Sequence, residues 1–392
     1  MKVFVVGAGA VASVLTKYLS KDRAIEEICC GSIDLEAAKE FIDHQKVHLV
    51  KLDAKNPQEI AQKAQGFDLI INASLPNFNE QVMEAALKVG ANYQDLCSHL
   101  LDLKHAEQLK FHTKFQQAKL VGLINTGASP GITNLLAKDA AAKLDTVSDI
   151  KIRLVEEQKS SELIFAWSPI VTLDEITSPP LIYQNGQFQL TKPFADKEEY
   201  EFATPFDKQQ TVSVYGDEIS TLPLYIKVSN INYKSSGTDI DLAKALYRLG
   251  LFNKKPVSVD GEKVIPVDFF AKIAPPPPTP KEMVKLVEDG IVENATLVTV
   301  VDVGGSIGGK KIRIKNTVLF PDIKEVTHKF PGATYISYPA GIAAFAFSKI
   351  IAKITTPGVF PPEALSSDLR KEVLIELETQ GIKIQEEFTK DS

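Results

Sequence analysis

Residues Lys2–Val6 form a short apolar, β-branched run that stops at Gly7-Ala8-Gly9 and gives way to a helical stretch at 11–20. A strand, a glycine turn and a helix in that order leave few folds open. The spacing Gly7-x-Gly9-x-x-Ala12 narrows them further. The first glycine makes the tight turn, the second lets backbone approach a pyrophosphate, and the small third residue lets the helix pack on the strand. Ala10 and Val11 complete the turn, and the helix N-terminus faces the phosphates. The context is the one this fingerprint needs, so a dinucleotide site is expected here.

The rhythm continues. Strand-like runs at 25–30, 47–52, 68–73, 91–96 and 120–125 alternate with helical stretches at 35–43, 57–65, 78–89 and 105–118. Asp34 is placed to cap the start of the helix at 35–43, and Gly90 to end the one at 78–89. This alternation predicts an α/β fold whose first domain, residues 1–125, is a doubly wound parallel Rossmann sheet. Strand-like runs at 150–155, 181–183, 211–214, 225–228, 296–303 and 311–319 then fall between turns such as Asn185-Gly186 and Gly304-Gly305. With helices at 240–249 and 266–273, they predict a second, α+β domain over 126–335 with a mostly antiparallel sheet. The four prolines at 275–278 read as a stiff surface connector. The apolar helix at 338–354 and the rest of 336–392 are expected to return to the first domain.

Composition excludes several classes. The 392 residues carry a net charge of −6 and no run of five like charges, so nucleic acid is not an expected partner. No stretch approaches eighteen uninterrupted apolar residues, so no membrane span is expected. Cys29, Cys30 and Cys97 lie in no Cys-x-x-Cys spacing and read as reduced thiols, which points to the cytoplasm. The six histidines are scattered, and no metal site is expected.

The 2′ position of the adenosine ribose is normally read at the end of the second strand. Ser32 stands there, with Asp34 two residues later. A hydroxyl rather than a fixed acid favours NADP, and NAD remains the alternative. Asp34 also serves as the helix cap.

Several further segments occur in a specific order: Ile71-Asn72-Ala73-Ser74-Leu75-Pro76, Gly90 to Leu96, Gly127-Ala128-Ser129-Pro130-Gly131, Phe165-Ala166-Trp167-Ser168-Pro169, and Gly358 to Glu363. In this order the chain resembles the saccharopine dehydrogenase-like family over nearly its whole length. That group also holds lysine 6-dehydrogenase and carboxynorspermidine dehydrogenase. The resemblance implies a homodimer, NAD(P) on the Rossmann domain, and hydride transfer at an amine-bearing carbon of an amino acid through an imine. By position it places Asp53 and Ala54 near the adenine. Ala73, Ser74, Leu75 and Pro76 fall near the diphosphate and ribose, with Gly127 beside the nicotinamide. Ser129, Pro130, Gly131, Trp167, Ser168 and Lys234 fall near the substrate. Two departures stand out. Ser129 occupies the place of an aspartate usual in the saccharopine branch. The regions expected to supply carboxylate-clamping arginines hold Asp217-Glu218 and Lys234, which favours a more cationic substrate such as lysine or a polyamine-like amine.

Asp95 ends a parallel strand on the side where such sheets bind ligands, and is either a catalytic residue or a loop cap. Cys97 is an inert buried thiol or lines the cleft, and His99 is a surface residue or a proton relay. Trp167 is core or substrate wall. Asp217 and Glu218 form a solvated turn or hold an amine. The reading favoured is an NAD(P)-dependent oxidoreductase acting on a CH–NH group; a non-catalytic nucleotide sensor is the rival from another class.

Overall fold

The computed structural model describes residues 1–42, 46–99 and 101–390. Strand β1 (Lys2–Val6) sends Val3 and Val5 into one apolar layer and Phe4 and Val6 into the other, the two-residue period of a sheet covered on both faces. Helix α1 (Ala10–Lys21) follows, then β2 (Glu27–Ser32), β3 (Val47–Lys51), β4 (Leu69–Asn72), β5 (Asn92–Asp95) and β6 (Val121–Leu123). All pair in parallel in the order β6-β5-β4-β1-β2-β3, which is the doubly wound arrangement. The helix expected at 35–43 runs Leu35–Phe41 with Asp34 accepting from the amides of Glu36 and Ala37; its expected last residue, Asp43, lies outside the described residues.

The second sheet is mixed and mostly antiparallel. Its spine runs Glu198–Glu201, Lys208–Ser213, Asn230–Gly237, Thr146–Ser160, Val292–Ile307, Lys310–Leu319, Lys383–Lys390. Asn230–Gly237 and Thr146–Ser160 are its one parallel pair among the described strands. The strand expected at 225–228 is not formed. The chain there leaves a helix, Glu218–Tyr225, whose apolar residues Ile219 and Leu222 are buried. The four prolines are not merely a surface connector, because Pro276 and Pro277 line the central cavity.

The last part of the chain serves both sheets. Gly358–Phe360 adds a seventh parallel strand beside β6, whereas Lys383–Lys390 is an edge of the second sheet. Helix Ser337–Ser348 is buried on nearly every side and lies against α1. A Cβ on Gly341 would sit 2.6 Å from Val14 Cβ, and the hydroxyls of Tyr18 and Tyr338 are 3.1 Å apart. One apolar core therefore runs from α1 through this helix to Ile152 and Val301 of the second sheet. Among the described residues no helix is long and apolar enough to cross a membrane.

Candidate active site

A cavity of about 680 Å³ lies between the two sheets, at the C-terminal ends of β1 and β4. One wall is the glycine turn. Gly7 has φ +101°, and a Cβ there would meet Ala73 O and Ser74 N at 2.7 Å, so this glycine lets two strand-end loops touch. Gly9 is different: a Cβ built on it meets nothing within 4 Å. Gly9 also precedes α1 with no side-chain cap, which leaves the first-turn amides open towards the cavity. Empty space over a glycine at an uncapped helix start fits a pyrophosphate. Ala12 is fully buried beneath the turn.

Ala10, Val11, Ala73, Ser74, Leu75, Pro76 and Gly127 line the same cavity. Ser32, Asp34, Asp53 and Ala54 do not line it; they lie at and beyond the ends of β2 and β3, on the same edge of the sheet. Ser32 Oγ donates to Asp34 O at 3.0 Å and accepts from Asp34 N at 3.3 Å, while the Asp34 carboxylate is committed to its cap.

Cys97, Ser129, Pro130, Trp167 and Ser168 also line the cavity, and Asp95, His99, Gly131 and Lys234 do not. Asp95 lies behind the wall, 1% exposed, accepting from Tyr93 Oη (2.8 Å), Gln108 Nε2 (3.1 Å) and the Asn125 amide (2.8 Å). Burial pushes its carboxyl up to about 7 despite these bonds. These contacts tie the end of β5 to the segments at Gln108 and Asn125, so Asp95 pins the wall. Burial also raises the Cys97 thiol, so it is not primed as a nucleophile. His99 is half-buried and its ring is shifted towards the neutral form by burial. Gly131 has φ +133° and no room for a Cβ, which would fall 1.9 Å from Gly127 O; it closes the loop that presents Ser129. Lys234 does not join its neighbours Tyr233, Ser235 and Ser236 at the cavity. Its ammonium pairs with Asp196 (2.8 Å) and Glu198 (3.0 Å).

The opposite wall is acidic. Glu156, Glu175, Asp217, Glu218 and Asp239 line the cavity, and no lysine, arginine or histidine does among the described residues. Asp217 and Glu218 are 5% and 1% exposed, so they are not a solvated turn. Glu218 Oε1 accepts from Ser129 Oγ and Thr133 Oγ1, both at 2.6 Å, and Ser129 Oγ lies 3.3 Å from Tyr233 Oη. Asp217 Oδ2 accepts the Ser98 amide at 3.2 Å. Burial, reinforced by the neighbouring acids, raises Asp217 well above the carboxylate range and Glu175 to about 8. Glu156 is raised too, by burial and by Asp239, and accepts from Tyr335 Oη at 3.1 Å. Glu175 was not singled out from sequence. Its signal was Ser168-Pro169, a helix-start pair that puts Glu175 on the helix Pro169–Thr177 packed over the cavity.

The chain is 23% identical to carboxynorspermidine synthase of Vibrio alginolyticus, over 94% of this chain and 93% of that one. It is 23% identical to carboxyaminopropylagmatine dehydrogenase of Synechocystis sp., over 70% of this chain and 73% of that one. Among solved structures, the L-Glu-forming saccharopine dehydrogenase of Saccharomyces cerevisiae superposes with a TM-score of 0.72 at 14% identity, covering 99% of both chains. Homospermidine synthase of Legionella pneumophila, solved in complex with NAD, gives 0.70 at 13% identity over 99% of this chain and 91% of that one. Residues 3–123 match the saccharopine dehydrogenase NADP binding domain and residues 127–382 the saccharopine dehydrogenase C-terminal domain, so the chain belongs to the saccharopine dehydrogenase family of NAD(P)-dependent oxidoreductases.

Proposed function

We propose that the protein transfers a hydride to or from an amine-bearing carbon of an amino-acid-derived secondary amine, through an imine, with NADP favoured over NAD. The observation that carries this reading is the facing of two unlike walls across one cavity: the open cradle at Gly9 and the carboxylates of the second domain. The bound nicotinamide would supply the hydride chemistry. The chain's own residues hold and shield the other reactant. Ser74, Leu75 and Pro76 meet Trp167 and Ser168 around the space between the walls. Ser129, between Glu218 and Tyr233, sits in a short line of exchangeable protons that opens on the cavity.

The all-acidic polar wall favours a carboxypolyamine over saccharopine. Saccharopine carries three carboxylates, and this cavity presents no cationic side chain among the described residues to receive them. Two relatives bear names of carboxylated polyamines, in line with that preference. The test is absorbance of the reduced nicotinamide with NADP and with NAD, against carboxynorspermidine, carboxyaminopropylagmatine, saccharopine and lysine. Reduction of NADP driven by a carboxylated polyamine is expected. Faster turnover of saccharopine would overturn the substrate preference, and tight nucleotide binding without turnover of any amine would overturn the oxidoreductase reading.

A further inference from the structure

Asp217 and Glu218 share an arrangement that the fold itself does not need. In each, one carboxylate oxygen is anchored, by the Ser98 amide or by Ser129 and Thr133. In each, the other oxygen, Asp217 Oδ1 and Glu218 Oε2, is buried with no hydrogen-bond partner among the described residues. Both side chains line the cavity, and both are more than nine-tenths buried. A buried acceptor without a partner is costly, and a buried carboxylate without a counter-charge costs more. Two such oxygens, on consecutive residues that both line one cavity, point to a missing donor that carries positive charge.

The surroundings narrow the donor. Glu175 faces the same two acids and repels both. Among the described residues no group of acids, histidines and cysteines is placed to hold a metal ion, which argues for an organic cation. Trp167 and Tyr215 line the cavity beside apolar Val171 and Ile176, a wall suited to an alkyl chain bearing an ammonium group. We propose that Asp217 and Glu218, backed by Glu175, form the subsite that takes the ammonium group of the substrate and so select an aliphatic amine over a dicarboxylate. This assignment rests on the oxidoreductase reading only for the word substrate; the binding it describes needs no turnover.

Burial, and then repulsion from Glu175, Glu218 and Glu107, raise the carboxyl of Asp217. Burial raises Glu218 as well, and Tyr233 and Tyr215 beside these acids are pushed further from ionising, chiefly by burial. An entering ammonium opposes these shifts and favours the ionised carboxylates, so binding of the cation favours release of a proton to solvent.

The test is calorimetric titration of the full chain, in the presence of NADP, with 1,3-diaminopropane and with glutarate. The diamine should bind and glutarate should not. D217N and E218Q should each weaken the diamine by at least about tenfold while leaving NADP affinity unchanged. Titration of the unmodified protein in two buffers of different ionisation heat covers the case in which a variant fails to fold: more than about half a proton should leave per diamine near neutral pH. Equal diamine affinity in the variants, tighter binding of glutarate, or no proton release would overturn the subsite. A protein that binds the diamine in this way but reduces no nucleotide with any amine would uphold the subsite and overturn the oxidoreductase reading.

Discussion

Ser129 Oγ donates to Glu218 Oε1 at 2.6 Å, and this bond joins the loop after β6 to the helix Glu218–Tyr225 across the interdomain cavity. The hydroxyl stands where the saccharopine branch usually carries an acid, so here it orients a carboxylate instead of supplying one. Ser129→Ala removes one of two short bonds to Glu218 Oε1. Steady-state kinetics with the preferred amine should show kcat/KM reduced by roughly tenfold, the cost of about one lost bond to a charged group. Nucleotide affinity should not change.

The two glycines of the fingerprint should fail differently. Gly7→Ala forces a Cβ against Ala73 O at 2.7 Å from a backbone at φ +101°, and should lower unfolding free energy by about 1–3 kcal/mol. Gly9→Val adds atoms only to open space, so thermal unfolding should stay near that of the parent. Its NADP affinity should fall by at least about tenfold, read by fluorescence titration.

Ser32 controls the choice of nucleotide in the proposed mode. Its hydroxyl already bridges the main chain of Asp34 and is held at the end of β2. Ser32→Asp would place a fixed negative charge there and should shift the ratio of NAD to NADP affinity by about tenfold or more towards NAD. An unchanged ratio would mean that the ribose is read elsewhere.

The buried acids give stability a pH dependence of definite sign. Asp95 and Glu363 are raised to about 7 and Glu175 to about 8, in each case chiefly by burial. Between the ordinary carboxyl values of 3.8 and 4.5 and these raised ones, the folded chain holds protons that the unfolded chain has released. Stability from these groups is therefore full at the acid end of that window and is lost as pH rises through it. Asp149 and Glu198 are shifted down beside Arg313 and Arg153 in spite of burial, so their loss falls below this window. Denaturant midpoints measured from about pH 5 to pH 8 should decline, and Glu175→Gln should flatten the slope.

Gly341 lies where the helix Ser337–Ser348 packs against α1 with no room for a side chain. A methyl group there would fall 2.6 Å from Val14 Cβ and 3.0 Å from Val11 O. Gly341→Ala should destabilise the protein by about 1–3 kcal/mol, read as a lower thermal midpoint, and should weaken NADP through displacement of α1.

The nucleotide half was legible because its signals are local. β1 is a buried parallel strand with apolar residues on both faces, and Gly7, Gly9 and Ala12 are required by chemistry that occurs within one turn. The second domain hid its key elements for a physical reason. Strand Asn230–Gly237 lacks clean alternation because Ser235 and Ser236 are both buried and both line the cavity. Helix Glu218–Tyr225 contains Pro223 and starts with two acids, the pattern of an exposed turn. Only the tertiary fold brings Ser98, Ser129 and Thr133 to Asp217 and Glu218, from up to 119 residues away. For Lys234 the residue type suggested a carboxylate clamp, but its ammonium is already paired with Asp196 and Glu198.

The seventh strand of the nucleotide-binding sheet, Gly358–Phe360, is made by residues that a ribosome delivers long after β6. The first 123 residues emerge with an unpaired β6 edge and with α1 lacking the apolar helix that covers it. That half can reach its final form only after the second domain has been synthesised, and Lys383–Lys390 then closes the second sheet in turn. Two domains by topology are thus one unit in assembly. A chain cut shortly before residue 337 would forfeit both, so the damage would reach the first sheet as well as the second.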